Sequence, residues 1–220
     1  MDPILNLVLF IILVGIVLVT GFIRIGLRTI TVKGKLRNAE TSPWDLNEFL
    51  NLKPSRSKSN EYYRFSEESV RSHAHRFVGR FDSAILHWKE VPILDLIIEN
   101  KFPVSYLPEK AKKEDFFQAG LYALALSESG VSCSDTKLVV VYCLQDVAKR
   151  CLFGNDPKKC GDCGEGSIFS KQFDKREISK YLEKIDEVWY KKRSPKANPT
   201  EFNCRPCPYS RNGKCNYSAV

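Results

Sequence analysis

Residues 93–103 read ILDLIIENKFP, an apolar run that ends on Glu99 and Lys101 with one residue between them. The run predicts a buried strand, and charges at its end call for a partner or a role because an unpaired buried charge is costly. Upstream, HAHRFVGRFDSAILHW (73–88) is β-prone and predicts the neighbouring strand, with the turn in WKEVP. A hairpin centred between Glu90 and Val91 sets position 82 opposite position 99. Asp82 then faces Glu99 across two antiparallel strands, a like-charge pair that costs up to ~1 kcal/mol. A divalent cation turns that repulsion into coordination. Lys101 lies two residues beyond Glu99 and points to the same face. The plain reading of the three is an exposed hairpin with a surface salt bridge.

Outward from the hairpin the chain predicts an α/β fold. KKEDFFQAGLYALALSES (112–129) predicts a helix in which Gln118 and Tyr122, four residues apart, share one side. For Tyr122 alone, core packing is the ordinary role. TKLVVVYCLQD (136–146) predicts a central strand and GSIFSKQFD (166–174) a weaker one. KREISKYLEKIDEVWYKKR (175–193) predicts an amphipathic helix with Ile178, Leu182, Ile185 and Trp189 as its stripe and a solvated charged face. Toward the N-terminus, SPWDLNEFLNL predicts a short helix with Ser42 as N-cap and Pro43 in the first turn. KPSRSKSN (53–60) is a loop, and RTITVKGKLRNAE a short strand or a basic linker. The core is expected to begin near Ser72.

From Ile4 to Ile23 the chain carries 20 residues without a charge, about 30 Å as a helix. No cleavage-site pattern follows, and Arg24, Arg28, Lys33, Lys35 and Arg37 come directly after it. The expectation is a single-pass membrane anchor whose following basic residues keep the C-terminal domain in the cytoplasm. Four regions result: a transmembrane anchor (4–23), a basic linker and N-terminal helical region (24–71), a core (72–193) and a Cys-rich tail (194–220). The formal charge of +8 and a sequence pI of about 9.0 suit an anionic partner, nucleic acid or acidic headgroups, though such a surplus also simply keeps proteins soluble.

GRFD (79–82), ENK (99–101) and QAGLY (118–122) resemble, in that order, the G-x-x-D, E-x-K and Q-x-x-x-Y motifs of RecB-like nucleases in the PD-(D/E)XK superfamily. The terminal CRPC (204–207) and Cys215 make the likeness greatest to the CRISPR-associated RecB-like exonucleases. The resemblance spans about residues 72–216. It implies a restriction-endonuclease-like core, with a mixed central sheet flanked by helices, and a Mg²⁺- or Mn²⁺-dependent deoxyribonuclease acting on single-stranded DNA ends. Asp82, Glu99 and the Asn100 backbone carbonyl would hold the metal; such hard oxygen ligands suit these ions. Lys101 would orient the water or stabilise developing negative charge. Gln118 and Tyr122 would position DNA and the lysine. The family's metal-binding His, on a helix well upstream, has no counterpart: His73 and His75 lie just before Asp82 and would point away from it on an unbroken strand. A nuclease-fold protein at the membrane that binds nucleic acid without cutting it is therefore the alternative.

In a reducing compartment clustered thiols more often bind metal than form disulfides. Cys204, Cys207 and Cys215 have ligand-like spacing, and the resemblance implies a [4Fe–4S] cluster that staples the domain. No Cys precedes Cys133, so the fourth ligand is left open among Cys163, Cys160 and Cys151. The pairs 160/163 and 204/207 would equally make a tetrahedral Zn²⁺ site. Cys133 and Cys143 read as ordinary buried thiols, and a tail acting as a redox or metal sensor is a third possibility.

Overall fold

The computed structural model describes residues 3–52, 61–153, 164–194 and 196–220. Two units make up the chain, Met1–Ile178 and Ser179–Val220. The first is a mixed α/β unit. Its long N-terminal helix is α1 (Pro3–Asn38), followed by β1 (Glu40–Thr41), α2 (Leu46–Leu50), β2 (Tyr63–Ser66), β3 (Ser69–Ser72), β4 (Phe77–Arg80), β5 (Ser83–Trp88) and β6 (Pro92–Lys101). Then come α3 (Lys113–Glu128), β7 (Lys137–Cys143), α4 (Gln145–Phe153) and β8 (Gly166–Gln172); α5 (Lys175–Trp189) leads into the second unit.

Six strands form a mixed sheet in the order β1-β2-β5-β6-β7-β8. β6 and β7 run parallel with α3 as the crossover, while β5–β6 and β7–β8 are antiparallel. Both central strands are buried on both faces, which is why LDLII and LVVVY read as continuous apolar runs. Helices cover the two faces. Val32, Leu36 and Ala39 at the end of α1 pack with Ile85, Leu96, Ile98, Val139 and Val141. α3 covers the other face, where Gly120 comes close to Leu138.

The hairpin pairs Trp88 with Pro92 and Ser83 with Ile98, and between Ile85 and Leu86 the register shifts by one residue. Asp95 is the extra residue of this bulge, and bulges re-aim side chains. Asp95 joins the α1 face, where it forms an ion pair with Lys35 and a hydrogen bond with His87 Nδ1. The Tyr62 ring packs edge-on to His87, and Lys35 lies 5.3 Å from its centroid. Arg64 donates to the Leu36 carbonyl, satisfying one of the carbonyls a helix end leaves open. The segment after 23 is thus helix rather than strand or linker, and the core begins before Ser72, since β2 lies beside β5.

Other expectations are corrected in the same way. Among the described residues no helix is long and apolar enough to cross a membrane. The anchor at 4–23, the membrane as a partner and the single-pass localisation are therefore not supported. The N-cap of α2 is Asp45 rather than Ser42. Its carboxylate accepts from Glu48 N (2.8 Å), and Glu48 reaches back to Asp45 N to complete a capping box. The strand expected over 73–88 is broken. His73–Arg76 form a turn, with Arg76 at φ 56°, that pairs β3 with β4 as a separate two-stranded sheet. In α5, Ile178 and Leu182 are buried, whereas Ile185 and Trp189 are exposed. Cys133 and Cys143 are half-buried. The loop expected at 53–60 lies outside the described residues.

Removing the carboxylate of Asp95 leaves Lys35 and His87 facing each other without their shared partner. Asp95→Ala is expected to lower unfolding stability by about 3 kcal/mol. Glu177→Ala, which breaks the exposed Lys171–Glu177 pair, is expected to cost under about 1 kcal/mol. Urea denaturation of the two variants checks the contrast.

Candidate functional site

Glu99 and Lys101 alternate with the α1-facing residues of β6 and so look toward α3. There Lys101 Nζ donates to Glu99 Oε1 (2.8 Å) and to Gln118 Oε1 (2.9 Å). Gln118 Nε2 in turn donates to the Tyr122 hydroxyl (2.9 Å). Asp115, Gln118 and Tyr122 recur at three- and four-residue spacing, so one stripe of α3 supplies all three. The register Ser83↔Ile98 carries on to bring Asp82 alongside the strand end, and its Oδ2 accepts from Asn100 N (2.6 Å). Asp82, Glu99, Asn100, Lys101, Gln118 and Tyr122 are thereby brought together. The bond between Asn100 and Asp82 uses the Asn100 backbone amide and so leaves its carbonyl uninvolved in that contact.

Two further residues were not anticipated from the sequence. Asp115 lies 3.6 Å from Lys101 Nζ and accepts from the Tyr142 hydroxyl, which itself accepts from Lys112 N (3.0 Å). The signal for Asp115 was its place three residues before Gln118, masked by the ordinary preference of acids for a first helical turn. Tyr142 pairs in register with Lys101 on the neighbouring strand, and only the sheet order reveals that.

Three carboxylates, Asp82, Glu99 and Asp115, converge on one lysine. Burial pushes the Glu99 carboxyl upward against the lowering bond from Lys101, and the Asp82 and Asp115 charges add to the rise. For Lys101, burial acts to lower the ammonium, but the bond to Glu99 and the surrounding carboxylates outweigh it and hold it above its usual value. Lys101 is thus a cation, unsuited to act as a base. Burial likewise raises Tyr122, keeping it a neutral phenol, and burial with the Asp115 bond pushes Tyr142 to about 12.

The donor set suits a hard cation in one respect. Glu99 is 3% exposed and its Oε2 is buried without a hydrogen-bond partner, an acceptor that a cation would satisfy. Side-chain ligands are few, however: among the described residues no group of three or more His, Cys, Asp or Glu is arranged to hold a metal ion. The histidines are engaged elsewhere or stand apart. His87 bonds to Asp95 on the opposite face, His75 sits 3.6 Å from Glu128, and His73 is exposed in the turn.

The tail is folded as two short helices, α6 (Glu201–Cys204) and α7 (Pro208–Arg211). Cys204 is buried and its Sγ accepts from Ala219 N (3.4 Å); Cys207 and Cys215 are half-buried, and all three are free thiols. The described residues do not assemble an iron–sulfur or zinc ligand set. Cys160 and Cys163 lie outside the described residues, and Cys151 is exposed on α4.

Gly79 explains how the site holds its shape. A Cβ there would meet Tyr122 Cε1 at 2.5 Å, and that ring is also held by Gln118 and by Phe81 edge-on at 6.4 Å. No protein-family model matches the chain, and no curated protein matches it in sequence.

Gly79→Ala is expected to displace Tyr122 and cost about 1–3 kcal/mol by overpacking, read as a lower urea midpoint. Glu99→Gln should act in the opposite direction. A carboxyl raised by folding is ionised at a cost above its folded pKa, and that cost fades as pH falls through the folded value and the native state takes up its proton. The variant is therefore expected to be more stable than wild type at neutral pH in metal-free buffer, by a margin that shrinks on acidification. Urea titrations at several pH values check this; a destabilised variant at neutral pH would mean that the Lys101 pair outweighs burial.

Proposed function

We propose that the protein is a Mg²⁺- or Mn²⁺-dependent deoxyribonuclease of the RecB-like PD-(D/E)XK kind, with a restriction-endonuclease-like core. The observation that carries this reading is the excess of negative charge around one lysine, with one of the carboxylates buried. Asp82, Glu99 and Asp115 surround one protonated lysine, and Glu99 keeps an unpartnered buried oxygen. Such a cluster is stabilised by an added divalent cation and by little else of its size.

Asp82, Glu99 and the Asn100 carbonyl would hold the ion, which when bound lowers the pKa of a water and polarises a phosphoryl oxygen. In hydrolysis the water oxygen bonds to phosphorus and gives up a proton, the bond from phosphorus to the leaving sugar oxygen breaks, and that oxygen takes up a proton. Lys101, being cationic, neutralises charge that grows on the phosphoryl oxygens. Gln118 fixes the lysine by accepting a hydrogen bond from its ammonium and is itself fixed by donating to the Tyr122 hydroxyl. The surplus of 34 basic over 26 acidic residues favours phosphate binding without reading sequence.

One observation favours the second reading, a nuclease-like fold that binds DNA without cutting it: among the described residues no group of three or more His, Cys, Asp or Glu is arranged to hold a metal ion. Cleavage of labelled single-stranded DNA in Mn²⁺ separates the two. Asp82→Ala and Lys101→Ala are each expected to lose on the order of 100-fold or more in rate while still binding DNA. Wild type that binds but never cuts, with both variants indistinguishable from it, establishes the second reading.

A further inference from the structure

The second unit carries a cleft of about 550 Å³ lined by Glu201, Phe202, Arg205, Pro206 and Arg211. None of these residues belongs to the site on β6 and α3. The cleft is built from a short, well-bonded stretch of backbone. Thr200 Oγ1 accepts from Asn203 N (3.2 Å), Cys204 O accepts from Cys207 N (3.1 Å), and Cys207 O accepts from Arg211 N (3.1 Å). Pro206 stiffens the turn between the two helices. Arg211 Nε donates to the Arg205 carbonyl (2.9 Å), which fixes its guanidinium with one of five N–H donors. Arg205 pairs with Glu201, but both side chains are mostly in water, where such a pair is weak and a stronger anion can replace it.

The apolar part of this cleft is Phe202 with Pro206, and exposed rings recur elsewhere in the same stretch of chain. Phe202 is 86% exposed, and Tyr209 and Tyr217 are 67% exposed each. A lone exposed ring is ordinary. Here three stand in the last 27 residues among Lys196, Arg205, Arg211 and Lys214, against the single acid Glu201. A flat ring beside two guanidinium groups, Phe202 with Arg205 and Arg211, matches a ligand that alternates flat apolar faces with phosphates. A duplex hides its base faces within the stack, and an acidic peptide offers charge without them, so the match is to an unpaired strand.

We propose that this cleft binds single-stranded nucleic acid, with an unstacked base against Phe202 and Pro206 and the adjoining phosphates against Arg205 and Arg211. The assignment stands on the second unit alone and does not require the hydrolytic reading.

The test is fluorescence anisotropy of the full chain with a labelled oligothymidylate, in buffer without added divalent cation so that nothing is cut. An unlabelled duplex of equal length and an acidic peptide serve as competitors. Phe202→Ala is expected to weaken binding about tenfold and Phe202→Trp to retain it. The double variant Arg205→Ala/Arg211→Ala is expected to flatten the log–log dependence of affinity on salt by about 1.4, two phosphates at about 0.7 each. Wild-type affinity and salt slope in Phe202→Ala and the double-arginine variant overturn the proposal. So does displacement of the oligonucleotide by duplex or acidic peptide as effectively as by unlabelled single strand. Binding is read without divalent cation and cleavage only in Mn²⁺, so failure of cleavage and failure of the cleft are read separately.

Discussion

Asp95 is the extra residue in β6, and the arrangement of charge in the first unit depends on that one-residue bulge. Without it, strict alternation would place Asp95 on the same face as Ile97, Glu99 and Lys101. Four charged or carboxylate-bearing positions would then compete for a single lysine under α3. With the bulge, Asp95 turns to the α1 face and meets Lys35 and His87, while Glu99 and Lys101 stay with α3. One strand thereby carries two separate buried electrostatic networks, each with a helix as its cover.

The bulge also explains how much of the hairpin was legible. A turn centred between Glu90 and Val91 gives the sum of positions that places 82 opposite 99. In the structure the turn is centred one half-residue earlier, with Trp88 opposite Pro92, and the inserted residue restores the same sum beyond Leu86. The broad signals, apolar runs at 93–98 and 138–142 and the Gln–Tyr spacing in 118–122, are local and therefore readable. His87–Asp95 is not local, because its contact exists only on the far side of a register shift. The end of α1 was misread for a different reason. TITV is β-branched and Gly34 follows, which argues against a helix by propensity. Burial of Val32, Leu36 and Ala39 against the sheet, with Lys35 paired to Asp95, outweighs those fractions of a kcal/mol per residue. The break at 73–76 carries no Gly, Pro or Asn, so nothing in it announced a turn; Arg76 takes the left-handed conformation instead.

At the candidate site the same logic separates structure from chemistry. A core optimised for stability would replace Glu99 by a neutral residue, since burial and two neighbouring carboxylates all disfavour its charge. The chain instead holds that carboxylate with a lysine, holds the lysine with a glutamine, and holds the glutamine with a tyrosine whose ring requires a glycine across from it. Every member of the chain of contacts from Gly79 to Glu99 fixes the position of the next. The cost is borne locally and the gain is orientation, because each group is held by directional bonds to defined partners.

Asp115 shows how far the charge balance of the site departs from that of a simple ion pair. Were Lys101 meant only to neutralise Glu99, one carboxylate would suffice and a third would weaken the pair. Asp115 is nevertheless kept close by Tyr142, a second tethered phenol at the end of β7, and Asp82 is held by the Asn100 amide rather than turned to solvent. Two independent tethers therefore hold carboxylates against their mutual repulsion. Tethers of that kind oppose the electrostatic relaxation available to an exposed hairpin, which would simply swing its side chains into water. They are the physical difference between this cluster and a surface salt bridge.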